Sequence, residues 1–161
     1  MGKNNKEEKT NVMRLLDQAG ISYKEHCYLD SDAVSGVDVA KALNEDPDMV
    51  FKTLVTVGYK GDHYVFVVPV ASSLNLKKAA KAVGDKSIEM IKQKELLPLT
   101  GYIHGGCSPI GMKKLFPTVV DETAELFDTI MVSGGKIGYQ VELSPDDLGK
   151  IVPLKFYDIT D

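Results

Sequence analysis

Phe51-Lys-Thr-Leu-Val-Thr-Val57 and Tyr64-Val-Phe-Val-Val-Pro-Val70 are the two stretches that decide the fold of this chain. Both are rich in β-branched and aromatic residues, which favour extended strands over helices. Gly58, Gly61 and Asp62 lie between them, and residues of these types favour tight turns. The pattern therefore predicts an antiparallel hairpin in the first half of the chain.

Short helices are predicted on both sides of this hairpin. They start at amphipathic or capped segments, which are Val12, the capping box Ser35-Gly-Val-Asp38, Leu76, the region of Met90, and Pro145 after Ser144. Gly20 is expected to end the first helix, because glycine favours helix termini. Pro98 is expected to end the fourth helix after residues 90–97, because proline cannot donate a backbone hydrogen bond.

The second half of the chain is predicted to consist mainly of strands. Strand-forming segments lie at 118–121, 129–132, 139–143 and 154–157, and another is expected within 21–28. The strands outnumber the helices, do not alternate regularly with them, and are often joined by tight glycine turns. We therefore expect an α+β fold with a mixed, barrel-like β-sheet surrounded by short helices. No repeat or long linker interrupts it, so we expect one domain over residues 1–161.

Composition argues against several classes of protein. The net charge of -4 means that a nucleic-acid partner would have to meet a local basic patch. The chain has neither the ~20 apolar residues needed to cross a bilayer nor an apolar leader, which predicts a cytoplasmic protein. Cys27 and Cys107 and the three histidines, His26, His63 and His104, show no metal-ligand spacing. We expect no disulfide, no metal and no other cofactor.

Lys52 is the candidate for the centre of a site, because it lies inside an apolar strand between Phe51 and Thr53. Partial removal from water lowers the pKa of a lysine, which then serves as an acid, a base or a nucleophile. If its charge is retained, the ammonium holds a carbonyl or a phosphate instead. The alternative, and the commoner case for a lone strand lysine, is a side chain that reaches out into solvent.

Two glycine-containing loops are candidates for binding an anion or an acyl oxygen. Gly105-Gly106, Gly111 and Gly134-Gly135 give the backbone the freedom to converge its N–H groups on one point. The alternative is ordinary turn geometry between strands, since neither loop matches a nucleotide-binding fingerprint. Cys107 and Ser108 are weak candidates for a nucleophile, because their surroundings do not form a Gly-x-Ser-x-Gly elbow.

Lysines form a possible patch for phosphate groups. The candidates for contact with tRNA are Lys77, Lys78, Lys81, Lys113 and Lys114. Arg14 is the only arginine, so such contacts would be made mostly by the point charges of ammonium groups. The alternative is that these lysines form a solvated helix face.

Three motifs together resemble the YbaK/EbsC family of bacterial proteins. They are Val50-Phe-Lys-Thr-Leu54, Gly101-Tyr-Ile-His-Gly-Gly-Cys-Ser-Pro-Ile-Gly111 and Val132-Ser-Gly-Gly-Lys-Ile-Gly138, and Leu74-Asn-Leu-Lys-Lys-Ala-Ala-Lys81 matches as well. The similarity runs from about Val12 to Ile159, with the motifs in the same order and spacing. It implies the fold of the prolyl-tRNA synthetase editing domain.

The same resemblance implies a function. It implies a deacylase that acts in trans on Cys-tRNA(Pro), with aminoacylated tRNA(Pro) as substrate and prolyl-tRNA synthetase as a further candidate partner. It also implies a substrate-assisted reaction in which the cysteine thiol attacks its own ester and leaves as a thiolactone. Carried over by position, the essential lysine falls on Lys52, and the substrate-binding positions on Tyr28, Thr53, Gly105, Gly106, Ser133 and Gly134.

Gln140 departs from the pattern of the family, because better-known members carry an aspartate at this position. If that acid binds the α-ammonium of the substrate, a neutral amide binds it more weakly or favours another amino acid. Two alternatives therefore stay open. One is an editing hydrolase for another small amino acid on tRNA(Pro), such as alanine, and the other is a module that binds tRNA or a synthetase without catalysis.

Overall fold

A computed structural model describes residues 9–28 and 35–161 of the chain. Five short helices and eight strands are found in these residues: α1 (Asn11–Gln18), β1 (Lys24–Cys27), α2 (Gly36–Ala42), β2 (Phe51–Gly58), β3 (His63–Pro69), α3 (Leu76–Val83), β4 (Ile88–Met90), α4 (Gln93–Thr100), β5 (Thr118–Asp121), β6 (Ile130–Ser133), β7 (Tyr139–Leu143), α5 (Pro145–Leu148) and β8 (Leu154–Tyr157). A 3-10 helix, Glu122–Leu126, follows β5. No helix in the described ranges is long and apolar enough to cross a membrane.

The strands form two sheets that meet at the start of β2. The larger sheet has the order β4-β2-β3-β5-β8, and the smaller has the order β1-β7-β6. The predicted hairpin is confirmed, since β2 and β3 pair antiparallel, while β3, β5 and β8 run parallel. An isolated bridge between Val50 and Met131 joins the sheets. The expected α+β fold with a mixed sheet and short helices is confirmed, but the described strands form two sheets and no closed barrel.

The helix starts follow from local capping chemistry. Thr10 caps α1, and Ser35 and Asp38 form the predicted capping box of α2, in which each side chain binds the other residue's backbone N–H. Asn75 and Ser144 accept hydrogen bonds from the first turns of α3 and α5. These contacts satisfy N–H groups that have no partner within the helix. The predicted starts of these four helices are therefore confirmed to within one residue.

The region around Met90 differs from the prediction of a helix over 90–97. Ile88–Met90 instead forms β4 against the end of β2, and the helix runs over Gln93–Thr100 with Pro98 inside it. The helix continues past Pro98 to Gly101, whose φ of 88° ends it and whose N–H donates to Leu97 C=O. Pro98 removes one backbone donor, and this loss does not end so short a helix.

The core lies on both faces of β2. Phe51 and Val55 pack in the largest apolar cluster, between the two sheets. Leu54 contacts a second cluster beneath α3, and Val50 belongs to a third cluster beside α2. Alternate residues of this strand therefore face different clusters, as the period of two in a strand requires. Lys52 lies on the same face as Val50 and Leu54, between the second and third clusters.

Candidate active site

A cavity of about 500 Å³ opens beside β2. Four parts of the fold form its walls: the first half of β2, the start of α2, the segment from Met90 to Leu96, and the loop that contains Gly105. The smaller sheet closes it with Ser133 and Gln140. Six of the sequence-predicted site residues line this cavity, namely Tyr28, Lys52, Thr53, Gly105, Ser133 and Gln140. Residues far apart in the sequence thus meet around one space.

The start of α2 reaches the cavity because Gly36 lies against Val70. A Cβ atom at position 36 would stand 2.5 Å from Val70 Cγ1, which is too close for any larger residue without movement. Ser35 and Val39 of the same segment also line the cavity. The capping box had predicted the helix from local sequence, but its approach to the end of β3 is a tertiary contact.

Lys52 lines the cavity, and its ammonium has no counter-ion among the described residues. Its side chain is half-buried, and burial lowers the pKa of the ammonium below its usual value of 10.5. Within residues 9–28 and 35–161, no carboxylate lies within salt-bridge distance of it. The expectation of a partly desolvated lysine agrees with this environment. A cation in this state is available to an anion or to a carbonyl oxygen in the cavity.

One edge of β2 is open along the cavity. The even-numbered residues of this strand bond to β3, as shown by Val70 N–H on Val50 C=O at 2.8 Å. The odd-numbered residues point their N–H and C=O groups to the opposite edge. There Met49 C=O accepts from Met131 N–H at 2.9 Å, and Val55 C=O accepts from Ile91 N–H at 3.3 Å. Between these two contacts lies Thr53, which lines the cavity.

Two buried polar atoms at the cavity have no hydrogen-bond partner among the described residues. They are Thr53 Oγ1 and Gln140 Oε1. Gln140 is only 7% exposed, and it lies between His26 of β1 and Ser133 of β6 in the smaller sheet. A buried polar atom without a partner costs about 1–3 kcal/mol, so such atoms are rare unless a ligand or water binds them. Thr53 and Gln140 also line the cavity, which makes it a candidate binding site for a polar group.

A network of hydrogen bonds holds β1 and β7 together next to Gln140. Glu142 accepts hydrogen bonds from Thr129 Oγ1 and pairs with His26 Nε2 at 2.8 Å. Burial opposes ionisation of Glu142, but the hydrogen bonds from Thr129 and His26 outweigh it and lower its pKa. Glu45 also approaches, and the ligand atoms of His26, Glu45 and Glu142 lie within 4.8 Å of one another, as a metal ion would require. These three residues do not line the cavity.

The two glycine loops, which contain Gly105-Gly106 and Gly134-Gly135, pack against each other. This contact is required if both loops are to form one wall of a site. A Cβ atom on Gly106 would stand 3.2 Å from Ile137 N, so only glycine allows this approach without movement. The N–H of Gly106 donates to Ile103 C=O at 3.0 Å, and that of Gly134 donates to Tyr139 C=O at 2.9 Å. Gly106 and Gly134, both predicted to bind substrate, do not line the cavity. Their N–H groups already stabilise the turns.

Cys107 and His104 line the cavity but were not among the predicted substrate contacts. Burial raises the pKa of the Cys107 thiol to about 12, so the sulfur stays protonated near neutral pH. A protonated thiol is a poor nucleophile, which agrees with the sequence-based doubt about this residue. Ser108 is fully buried and accepts a hydrogen bond from Ile110 N–H. Neither Cys107 nor Ser108 is therefore arranged as an activated nucleophile.

The wall formed by Met90, Ile91, Gln93 and Leu96 was missed by the sequence analysis. Its residues carry no motif, and the error over β4 and α4 placed them on a different element. The sequence signal in this segment was a helix predicted over 90–97. That pattern predicts a buried face without showing which surface it covers.

The lysines predicted to contact tRNA lie away from the cavity. None of the five lines it. Lys78 Nζ binds Asp158 Oδ2 at 3.0 Å and Thr160 C=O at 2.8 Å, so its charge is engaged within the protein. Lys77, Lys81, Lys113 and Lys114 are exposed. A solvated helix face accounts for Lys77 and Lys81, and contact with tRNA stays a prediction.

Sequence comparison finds a family and two known proteins that this chain is similar to. The sequence profile of the family described as "Aminoacyl-tRNA editing domain" matches residues 30–151. EbsC of Enterococcus faecalis, to which a Cys-tRNA(Pro)/Cys-tRNA(Cys) deacylase activity is attributed, is 46% identical over 161 residues. That alignment covers 99% of this chain and 98% of EbsC. A proline-tRNA ligase of Shouchella clausii is 28% identical over 102 residues, which are 63% of this chain and 18% of the ligase.

A solved structure shares the fold. Its protein is described as a trans-editing enzyme for prolyl tRNA synthetase, and it superposes with a TM-score of 0.80 at 24% identity. The superposition covers 96% of this chain and 99% of the other. The profile match spans most of the chain, and the EbsC alignment spans nearly all of both proteins. The chain belongs to the aminoacyl-tRNA editing domain family.

Proposed function

We propose that this protein is an aminoacyl-tRNA deacylase that acts in trans and removes cysteine wrongly attached to tRNA(Pro). The observation that carries the proposal is the cavity, which is lined by Lys52, Thr53 and Gln140. Among the described residues the Lys52 ammonium has no carboxylate partner, and Thr53 and Gln140 each have a buried polar atom without a hydrogen-bond partner. Identity of 46% to EbsC supports the same reaction class. The aminoacylated end of the tRNA enters the cavity, and the reaction takes place in the cytoplasm, where tRNA is charged.

Lys52 has the central role in this proposal. Its ammonium contacts the ester or the terminal ribose and stabilises negative charge that develops there. A half-buried position strengthens the effect, because charges interact more strongly away from bulk water. Tyr28, Gly105, Ser133 and Gln140 surround the aminoacyl group on the other sides of the cavity. Gly106 and Gly134 support the turns behind them.

The protein supplies no nucleophile in this reaction. The Cys107 thiol is protonated, and no other cysteine lines the cavity among the described residues. The thiol of the substrate instead attacks its own ester. The sulfur bonds to the carbonyl carbon, the bond from that carbon to the ribose oxygen breaks, and the thiol proton passes to the ribose oxygen. The products are a cyclic cysteine thiolactone and free tRNA, and the closeness of thiol and ester supplies much of the rate.

One observation favours a second candidate substrate. Gln140 lines the cavity with a neutral side chain at the position where better-known relatives carry an acid, so a contact with the substrate ammonium would lose charge assistance. The second candidate reaction in this cavity is hydrolysis of alanine from tRNA(Pro), with water as the nucleophile. The two candidates differ in the product that they release.

A substrate and product panel tests the proposal. Cys-tRNA(Pro), Ala-tRNA(Pro) and Ser-tRNA(Pro) are incubated with excess protein, and the tRNA is removed by precipitation. The released material is then treated with hydroxylamine, which captures a thiolactone as a hydroxamate and does not react with a free amino acid. We expect loss of cysteine with hydroxamate formation. Release of free alanine alone would show that the protein is a deacylase, but that its substrate is Ala-tRNA(Pro) and not Cys-tRNA(Pro). Stable ester bonds in all three substrates would contradict deacylation and leave a module that binds tRNA or prolyl-tRNA synthetase without catalysis.

A further inference from the structure

The open edge of β2 is a gap of one residue in an otherwise paired strand. The bridge between Val50 and Met131 occupies one side, and the hydrogen bond from Ile91 N–H to Val55 C=O occupies the other. Thr53 lies between them, and its backbone faces away from β3 by the alternation of the ladder. Among the described strands, the pairings on that side join Thr56, Val57 and Gly58 to β4 and Val50 to Met131, and none of these pairings includes Thr53. The gap faces the cavity, which Thr53 lines.

We propose that the backbone of Thr53 binds the aminoacyl group of the substrate as if it were one residue of a neighbouring antiparallel strand. In a hydrogen-bonded antiparallel pair, one residue exchanges both its N–H and its C=O with the single residue opposite. An aminoacyl ester has the same N–Cα–C=O skeleton as a residue. Its α-ammonium donates to Thr53 C=O, and its ester carbonyl oxygen accepts from Thr53 N–H. This assignment rests on the proposed deacylase function.

The N–H of Thr53 then lies where negative charge develops. When sulfur or water adds to the ester carbon, the carbonyl oxygen becomes an oxyanion, and a fixed N–H donor stabilises it. Three of the loop N–H groups that the sequence suggested for this role are engaged within the loops, namely those of Gly106, Gly134 and Gly135. A strand held on both sides of the gap fixes the donor more rigidly than a loop does. Lys52, the adjacent residue, adds its charge to the same space.

The pairing also places the side chain of the substrate. Directly opposed residues of an antiparallel pair project their side chains to the same face. The substrate side chain would therefore lie on the side of Thr53 Oγ1, which is buried and has no hydrogen-bond partner among the described residues. A hydroxyl oxygen binds a thiol or hydroxyl and gains nothing from a methyl group. The site would thus select small polar side chains, and the single-residue gap excludes a longer peptide strand.

Two variants separate the backbone from the side chain. Replacement of Thr53 by its α-hydroxy acid, introduced by nonsense suppression, turns its backbone amide into an ester, which removes the N–H and weakens Lys52 C=O as an acceptor. We expect single-turnover deacylation of Cys-tRNA(Pro) to fall by about 100-fold, as for loss of one oxyanion donor. Thr53→Val keeps the N–H, and we expect it to slow Cys-tRNA(Pro) and Ser-tRNA(Pro) more than Ala-tRNA(Pro). A rate within twofold of wild type for the amide-to-ester variant would overturn the proposal.

A measurement on the unmodified protein covers the case in which the ester variant does not fold. An analogue with cysteine joined to 3′-amino-adenosine by an amide bond cannot be cleaved, and its binding is followed in the amide NMR spectrum. We expect the Thr53 N–H resonance to shift downfield, while the Leu54 N–H, which is paired with β3, serves as the control. An unshifted Thr53 resonance on saturation would overturn the inference. Failure of the wild-type protein to deacylate any substrate would instead contradict the proposed function.

Discussion

Lys52 and Lys78 show how the same residue type acquires two different roles. Lys78 lies at the start of α3, where Asp158 and Thr160 C=O satisfy its ammonium. Lys52 lies on β2 without a carboxylate partner among the described residues, and burial lowers its pKa. The first arrangement fastens a helix to the C-terminal segment, and the second leaves a charge available to a ligand. A count of lysines in the sequence does not distinguish them, since only their neighbours do.

Removal of each ammonium tests this contrast most strongly. We expect Lys52→Ala to lower the single-turnover rate on Cys-tRNA(Pro) by at least about 100-fold, because charge stabilisation in a cavity is worth that much. Lys78→Ala is the matched control, and its rate should stay within twofold of wild type. A surface ion pair contributes about 0–1 kcal/mol, so this control should fold normally. Equal losses in both variants would contradict the special role of Lys52.

Restoring an acid at Gln140 sharpens the contrast, because it gives the cavity a negative charge. We expect Gln140→Asp to tighten binding of the substrate ammonium, with KM for Cys-tRNA(Pro) lowered by up to about tenfold, which corresponds to ~1.4 kcal/mol. Steady-state kinetics on Cys-tRNA(Pro) and Ala-tRNA(Pro) measure the effect. Gln140→Glu is the control, because Glu has nearly the same shape as Gln and places its charge one methylene further from the backbone than Asp does. An unchanged KM would show that this side chain does not contact the ammonium.

Removal of the Lys52 ammonium should raise the stability of the protein, although it lowers the activity. A lowered pKa in the folded state means that the charged form is penalised by folding, and the penalty is complete below the folded pKa. Stability therefore rises as pH increases from the folded pKa towards 10.5. Lys52→Met should raise the free energy of unfolding at neutral pH by less than about 1 kcal/mol, since the group is half-exposed. Urea denaturation should show that this gain shrinks as the pH approaches 10.5.

The smallest expected effect concerns the other reactive group in the cavity. Cys107 has a pKa of about 12, so its thiol takes no part as a thiolate near neutral pH. Cys107→Ala should therefore deacylate Cys-tRNA(Pro) within about twofold of wild type. Ala is close in volume to the thiol, which limits repacking. A loss as large as that of Lys52→Ala would assign the nucleophile to the protein instead of the substrate.

The sequence predicted the parts of the fold that depend on local chemistry. The β2–β3 hairpin follows from its β-branched residues and glycine turn, and α2 follows from its capping box. The region of β4 and α4 could not be predicted, because three residues of strand carry no periodicity and pair only when β2 is present. Pro98 was also misleading, because the loss of one backbone donor did not end the helix.

The candidate site divides in a similar way. Lys52, Thr53 and Gln140 were found from an apolar strand and from resemblance to a family, and they meet at the cavity. The wall around Met90 and the gap at Thr53 could not be predicted from sequence. They depend on which strand edges stay unpaired, and that is decided by the assembly of both sheets. Local sequence shows where a strand lies, but not which of its backbone groups lack a partner.

A crystal structure with the uncleavable cysteinyl analogue of 3′-amino-adenosine tests the central claim most directly. We predict that the aminoacyl group occupies the cavity of about 500 Å³, with Lys52 Nζ within hydrogen-bond distance of the linkage or the ribose. Binding of the analogue along α3, at Lys77 and Lys81, with the cavity unchanged, would contradict the assignment of the active site.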